Sequence, residues 1–240
     1  MSHIESILRM TAHRPYPMPQ RTWKYYQEWH NVLFAHWRVP LEPLRELVPK
    51  GIDIDLFNGQ AWVSLVAFDL IKLRPHFIPS FPPVSDFIEI NMRTYVIRNG
   101  KTGIYFFSLE TDKAVSAWLG RLGIGLPYMK STISHQKGTY LSVNKKHGFH
   151  LEVSYEPEEE LIKNKSKLDK WLTERYCLFL ERFGKIRGND VHHFEWPLQK
   201  VKVTKLDLHY RFNNLVIEGE APLYHYSKGV YVPTWGQVEQ

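Results

Sequence analysis

Glu89, Asn91 and Arg93 occupy alternate positions of the string Phe87-Ile88-Glu89-Ile90-Asn91-Met92-Arg93-Thr94-Tyr95-Val96. Side chains two apart share one face of an extended strand, so a carboxyl, an amide and a guanidinium are brought side by side. A carboxyl held near an arginine suits general acid–base work or the orienting of a small organic acid. Asn99-Gly100 follows this string, and a type I′ hairpin turn needs the positive φ that Asn and Gly accept most readily at both central positions. With Arg98 opposite Lys101, the hairpin sets Glu89 against Glu110, Asn91 against Ser108, Arg93 against Phe106 and Tyr95 against Ile104. The other face pairs Ile90 with Leu109, Met92 with Phe107 and Thr94 with Tyr105, which is apolar nearly throughout and belongs in a packed core.

Polar residues facing away from a core ordinarily meet water. Phe87, Tyr95, Ile97, Ile104 and Phe106 share the polar face, however, and mixed polar and aromatic lining is what a pocket inside a curved or closed sheet requires. Two carboxyls opposed at a Cβ separation of about 4.5–5.5 Å repel unless one is protonated or a cation intervenes. Arg93 is placed to supply that cation. Glu89 and Arg93 are thus the expected acid–base and anion-holding residues, with Asn91, Ser108 and Glu110 lining the substrate.

Other chemistry is weaker in this sequence. Among 12 histidines, His192-His193 with nearby Glu195 invites a metal, but adjacent residues of a strand point to opposite faces, so no metal site is expected. Gly-rich phosphate loops, G-x-S-x-G elbows and H-E-x-x-H helices are absent, and no cofactor is expected. Cys177, in an apolar setting, reads as a small buried hydrophobe. Arg175, in Leu172-Thr173-Glu174-Arg175-Tyr176, either enters a cavity or pairs near Glu174.

The elements that must position these residues are mostly strands: 27–38, 60–69, 86–98, 101–110, 139–143, 149–155, 176–182, 186–193, 198–210 and 215–218. Short helices are expected at Leu41 to Val48, between Pro40 and Pro49, and after Ser166, whose spacing to Asp169 is that of a capping box. Arg74 to Pro83 holds four prolines and must be irregular, either as a lid or pocket wall or as a plain connection. The class is mainly β (α+β), antiparallel with a few short helices. No linker divides the 240 residues, so one domain over 1–240 is expected, with residues 1–20 as an N-terminal arm.

Composition narrows the partners. A net charge of +6 comes with Lys-rich stretches at a turn and at a helix start, not interleaved with aromatics on one face, so nucleic acid is not an expected partner. No apolar run suits a signal peptide or a membrane span, and a single cysteine suits a reducing compartment; a cytoplasmic protein without membrane attachment is expected. Exposed β-edges are compatible with a homo-oligomer.

Several strings together resemble the YqjF-like family of uncharacterised bacterial proteins, in the acetoacetate decarboxylase superfamily. They are Val39-Pro40 with Leu44 and Leu47-Val48-Pro49, Phe87 to Val96, Gly103 to Leu109, Leu126-Pro127-Tyr128, Leu172 to Tyr176 and Trp196-Pro197-Leu198. The resemblance implies a large curved antiparallel sheet closing into a cone-like barrel with a central pocket. Acetoacetate decarboxylases form a Schiff base on one of two adjacent lysines that follow a Gly-x-Pro string. Here Gly125-Leu126-Pro127 is followed by Tyr128 and Met129, with Lys130 one residue late, and a one-residue slip in a strand reverses the face. By the same resemblance Glu89 matches the family's strand glutamate, while His30 and Arg38 lie nearest its substrate arginine. Three functions remain compatible with these residues. The first is an enzyme acting on a small-molecule organic acid or carbonyl compound through Glu89 and Arg93, with Tyr128, Asn91 and Ser108 orienting the ligand. The others are a non-catalytic ligand carrier or sensor, and a Schiff-base decarboxylase using Lys130.

Overall fold

Asn99 and Gly100 have φ of 50° and 75°, and they join β4 (Phe87–Arg98) to β5 (Lys101–Thr111) with Arg98 opposite Lys101. This two-residue turn is the one that the Asn-Gly pair dictates. The computed structural model describes residues 3–114, 116 and 125–239. Before this hairpin come α1 (His3–Arg9), β1 (Tyr25–Val39), α2 (Leu41–Arg45), β2 (Asp53–Ile54), β3 (Ala61–Pro75) and α3 (Pro82–Ser85). After it come β6 (Tyr128–Lys130), β7 (Thr132–Gln136), β8 (Thr139–Asn144), β9 (Phe149–Leu161) and α4 (Lys167–Thr173). The chain finishes with β10 (Cys177–Arg182), β11 (Lys185–Val191), β12 (Leu198–Phe212), β13 (Leu215–Glu218) and β14 (Leu223–Glu239).

Seven strands close on themselves in the order β1-β3-β4-β5-β10-β11-β14, with β14 returning to β1. Closure removes the edges that an open sheet would expose. All the barrel ladders are antiparallel except β5–β10. A parallel step needs a long crossover, and the chain between β5 and β10 carries β6 to β9 and α4. Outside the barrel, β12, β9, β8 and β7 continue from β14 as a second layer, with β13 on β12. Its apolar face, including Tyr140, Leu151, Val153, Leu208 and Tyr210, packs on the outward side chains of β1, β3 and β4, among them Leu33, Val63, Leu65, Ile90 and Met92.

Two irregularities decide which side chains enter the barrel. Asn31 sits at φ 53° where the β1–β3 register shifts. The bulge changes the inward set from Tyr25, Gln27 and Trp29 to Val32 and Phe34. Opposite it on β14, Gly229 at φ 141° approaches so closely that a Cβ there would lie 2.1 Å from the Trp29 carbonyl oxygen. The second bulge is on β5, where Arg93 faces Phe106 but Met92 faces Ser108, leaving Phe107 without a partner. One inserted residue inverts the facing of everything beyond it. The opposition of Glu89 to Glu110 and of Asn91 to Ser108 that an unbroken ladder predicts is therefore wrong: Glu89 faces Thr111, Glu110 faces Ile90, and Asn91 faces Leu109.

No helix among the described residues is long and apolar enough to cross a membrane.

Candidate functional site

All seven barrel strands contribute side chains to a cavity of about 560 Å³ inside the barrel. Glu89 and Arg93 reach it from β4, Tyr128 from β6 and Arg175 from just beyond α4. Trp29, Phe68, Leu70, Phe87, Phe106 and Trp196 make most of its wall apolar. The segment after β3 closes one side with Ile78, Pro79 and Phe81, so the proline-rich stretch is a pocket wall.

Glu89 is 4% exposed. Tyr128 donates its hydroxyl to Glu89 Oε2 at 2.6 Å, and Asn91 donates Nδ2 to Oε1 at 3.0 Å. Burial dominates over these donors and over Arg93, and pushes the carboxyl up to about 7. A group with that proton affinity exchanges a proton readily at neutral pH.

Helix α4 fixes the two guanidiniums. Its capping box is complete, Ser166 Oγ accepting from the Asp169 amide at 3.0 Å and Asp169 Oδ2 from the Ser166 amide at 2.7 Å. At the other end the last carbonyls of a helix lack intrahelical donors. Arg93 Nη2 donates to Leu172 O at 3.3 Å, and Arg175 Nε donates to Trp171 O at 2.7 Å. Arg175 also pairs with Asp55, Nη1 to Oδ2 at 2.6 Å. Arg93 forms no ion pair with a carboxylate among the described residues. Its Nε and the Nη2 of Arg175 are buried without a hydrogen-bond partner. Both guanidiniums stand by the Tyr95 ring, with Cζ 6.0 Å and 5.0 Å from its centroid. Burial lowers the proton affinity of each, yet arginine stays charged at any ordinary pH.

Tyr95 is itself anchored from behind. Its hydroxyl pairs with Ser64 Oγ at 2.5 Å, Ser64 with His36 Nδ1 at 2.6 Å, His36 Nε2 with His225 Nδ1 at 3.1 Å, and His225 Nε2 with Asp169 Oδ1 at 3.0 Å. Complete burial, the adjacent His225 and Arg93 hold His36 neutral, so this chain orients Tyr95 without placing another charge beside the guanidiniums.

The sequence-derived candidates divide as follows. Glu89, Arg93 and Tyr128 line the cavity, and Asn91 supports Glu89. Ser108 and Glu110 do not line it, because the Phe107 bulge turns them toward the second layer. There Glu110 accepts from Ser131 at 2.6 Å, Tyr210 at 2.7 Å and Ser142 at 3.1 Å. Lys130 is exposed and gives its ammonium to Ser131 O at 2.8 Å, because Tyr128 takes the inward position at this point of β6. Arg38 is exposed at the end of β1 with Cζ 5.2 Å from the Trp62 ring, and His30 bonds Glu28 at 3.1 Å; neither lines the cavity.

Arg175 does both things open to it, entering the cavity and pairing, though with Asp55. Gln27, Asn189, Thr173 and His193 also line the cavity and are not among the sequence-derived candidates. Period-2 alternation marks Asn189 on β11, but Gln27 is inward only on its side of the Asn31 bulge. His193 is held neutral, burial lowering it to about 3. His192 turns instead to the Ile7 carbonyl at 3.0 Å and to Arg14 at 3.3 Å. Cys177 lines the cavity as a thiol, burial pushing it up to about 12. Among the described residues, no group of three or more His, Cys, Asp or Glu side chains is placed to hold a metal ion.

Residues 26–231 match the family model of DUF2071, an uncharacterized conserved protein. The chain belongs to the DUF2071 family. It is 37% identical to the uncharacterized protein YqjF of Bacillus subtilis (strain 168) over 231 residues, 91% of this chain and 93% of that one. The enduracididine biosynthesis enzyme MppR, solved in complex with pyruvate, superposes with a TM-score of 0.59 at 13% identity, covering 94% of this DUF2071 chain and 93% of MppR. An acetoacetate decarboxylase-like enzyme from Sphingomonas wittichii RW1 gives 0.55 at 14% identity, over 95% and 98% of the two chains. The fold is acetoacetate decarboxylase-like.

Proposed function

We propose that the barrel cavity binds a small organic acid or carbonyl compound, with Arg93 holding its anionic group and Glu89 giving or taking a proton. The observation that carries this is the pairing, in one buried site, of an Arg93 guanidinium without a carboxylate partner and a Glu89 carboxyl near neutrality. A buried cation left uncompensated is expensive, and an incoming anion repays that cost. Arg175 adds a second donor, Nη2, and Tyr128 holds Glu89 in place. MppR, similar in fold, was solved with pyruvate bound.

A non-catalytic carrier on the same site is favoured by one further observation. Among the described residues lining the cavity there is no lysine, and Tyr128 and Met129 follow Gly125-Leu126-Pro127 where the acetoacetate decarboxylases resembled by this chain carry their lysine pair. Imine chemistry is thereby left without its nucleophile, whereas anion binding is not.

A thermal-shift panel of carboxylates and carbonyl compounds tests binding, followed by product analysis of each hit. Arg93→Ala should abolish the shift while the chain stays folded, and Glu89→Gln should abolish turnover of any hit that is converted. Undiminished binding and turnover in both variants would refute the proposal.

A further inference from the structure

Polarity in the cavity runs in one direction. Its charged groups are at the closed end, Glu89, Arg93 and Arg175 being 4%, 7% and 6% exposed. Its opening is apolar, for the lining residues Ile78 and Phe81 are 58% and 65% exposed, and the adjoining Phe77 is 90% exposed. Large apolar side chains clustered at an exposed rim usually mark a surface that meets an apolar group. Between rim and guanidiniums the wall is Trp29, Phe68, Leu70, Phe87, Phe106 and Trp196.

The cavity is too large for a minimal acid. At about 560 Å³ it falls within the range of about 300–1,000 Å³ that encloses drug-sized ligands. A three-carbon keto acid fills roughly the space of three waters, at about 30 Å³ each, and would leave most of the apolar wall unused.

We infer that the ligand is an amphipathic monocarboxylic acid, its carboxylate on Arg93 and Arg175 and its hydrocarbon chain or ring running along the apolar wall to the Ile78–Phe81 rim. This names the ligand class for the proposed organic-acid site and rests on it. Charge supports the orientation. Asp55 already compensates Arg175, so one positive charge is left for one carboxylate when Glu89 is protonated. An acid entering tail-first would press its hydrocarbon end against the buried guanidiniums and leave Arg93 uncompensated. The exposed rim is explained at the same time, since Ile78 and Phe81 meet the distal end of the chain.

Calorimetric titration of the full chain with acetate, butanoate, hexanoate and octanoate tests the inference, with octanol and methyl octanoate as uncharged controls. From butanoate to octanoate each methylene should tighten binding about fourfold, and both controls should bind at least tenfold more weakly than octanoate. Ile78→Ser with Phe81→Ser, a change confined to exposed side chains, should weaken octanoate and leave butanoate unchanged. Equal affinity for acetate and octanoate would overturn the inference while leaving the organic-acid site intact, whereas octanol binding as tightly as octanoate would show that the carboxylate contributes nothing and would overturn both. Failure of every acid to bind would overturn both.

Discussion

Replacing Glu89 by glutamine keeps the side chain's shape and removes its titration. In the folded chain burial raises this carboxyl from the ordinary 4.5 to about 7, which corresponds to about 3 kcal/mol favouring the neutral acid. Below about pH 4.5 the group is protonated in both folded and unfolded chains and costs nothing. Between about 4.5 and 7 the unfolded chain releases the proton and the folded chain does not, so stability falls as pH rises, and above about 7 the deficit is constant. Glutamine has no such deficit. For a chain of this size about 2–4 °C accompanies each kcal/mol. The melting temperature of Glu89→Gln relative to wild type should therefore climb by about 6–12 °C between pH 4.5 and pH 8. Thermal melts followed by tryptophan fluorescence across that range measure it, and other titrating groups common to both chains cancel in the difference. Parallel curves would show that Glu89 titrates as an ordinary carboxyl and would remove its acid–base role.

Tyr210→Phe deletes a hydrogen bond to the buried Glu110. It should cost about 2 kcal/mol at pH 8 and less at pH 4, where burial keeps the carboxyl neutral; denaturant melts at the two pH values check this. Gly229→Ala places a Cβ 2.1 Å from the Trp29 carbonyl oxygen at φ 141° and should cost at least about 3 kcal/mol, read as a lowered urea midpoint. Borohydride reduction in the presence of acetoacetate should leave the intact mass unchanged in wild type and in Lys130→Ala, and an adduct lost only in the variant would bring Lys130 back as a Schiff-base nucleophile.

The hairpin at Asn99-Gly100 is legible because two residues determine it locally, and Glu89 and Arg93 are legible because their spacing places them on one face close to that turn, whereas Tyr128 is reached only through the Gly125-Leu126-Pro127 string of the family resemblance. The same rule applied across Phe107 misplaces Glu110 and Ser108. A bulge adds one residue without any signal in the alternation of polar and apolar types. Arg175 depends on the docking of α4 against β4, a tertiary event that a local pattern does not encode. Strand β14 is not legible in the sequence, since Gly229, Pro233 and Gly236 are strand breakers. Pro233 and Gly236 fall where β14 leaves β1 for β11, so that one segment serves two partners, while Gly229 lies within the β1 ladder opposite His30. Closure of the barrel is legible only through the family resemblance, because no single strand reports which strand returns to the first.

The central claim is that an anion held by Arg93 sits beside a Glu89 poised near neutrality. It is tested most directly by calorimetry of the best-binding carboxylate in two buffers of different ionisation enthalpy, which gives the protons taken up on binding. At pH 6 Glu89 is already largely protonated, and uptake should be near zero. At pH 8 it is about nine-tenths ionised, and uptake should approach one proton per ligand, since the bound anion favours the neutral acid. Glu89→Gln should abolish that uptake. Binding without proton uptake at pH 8, or with proton release, would contradict the account.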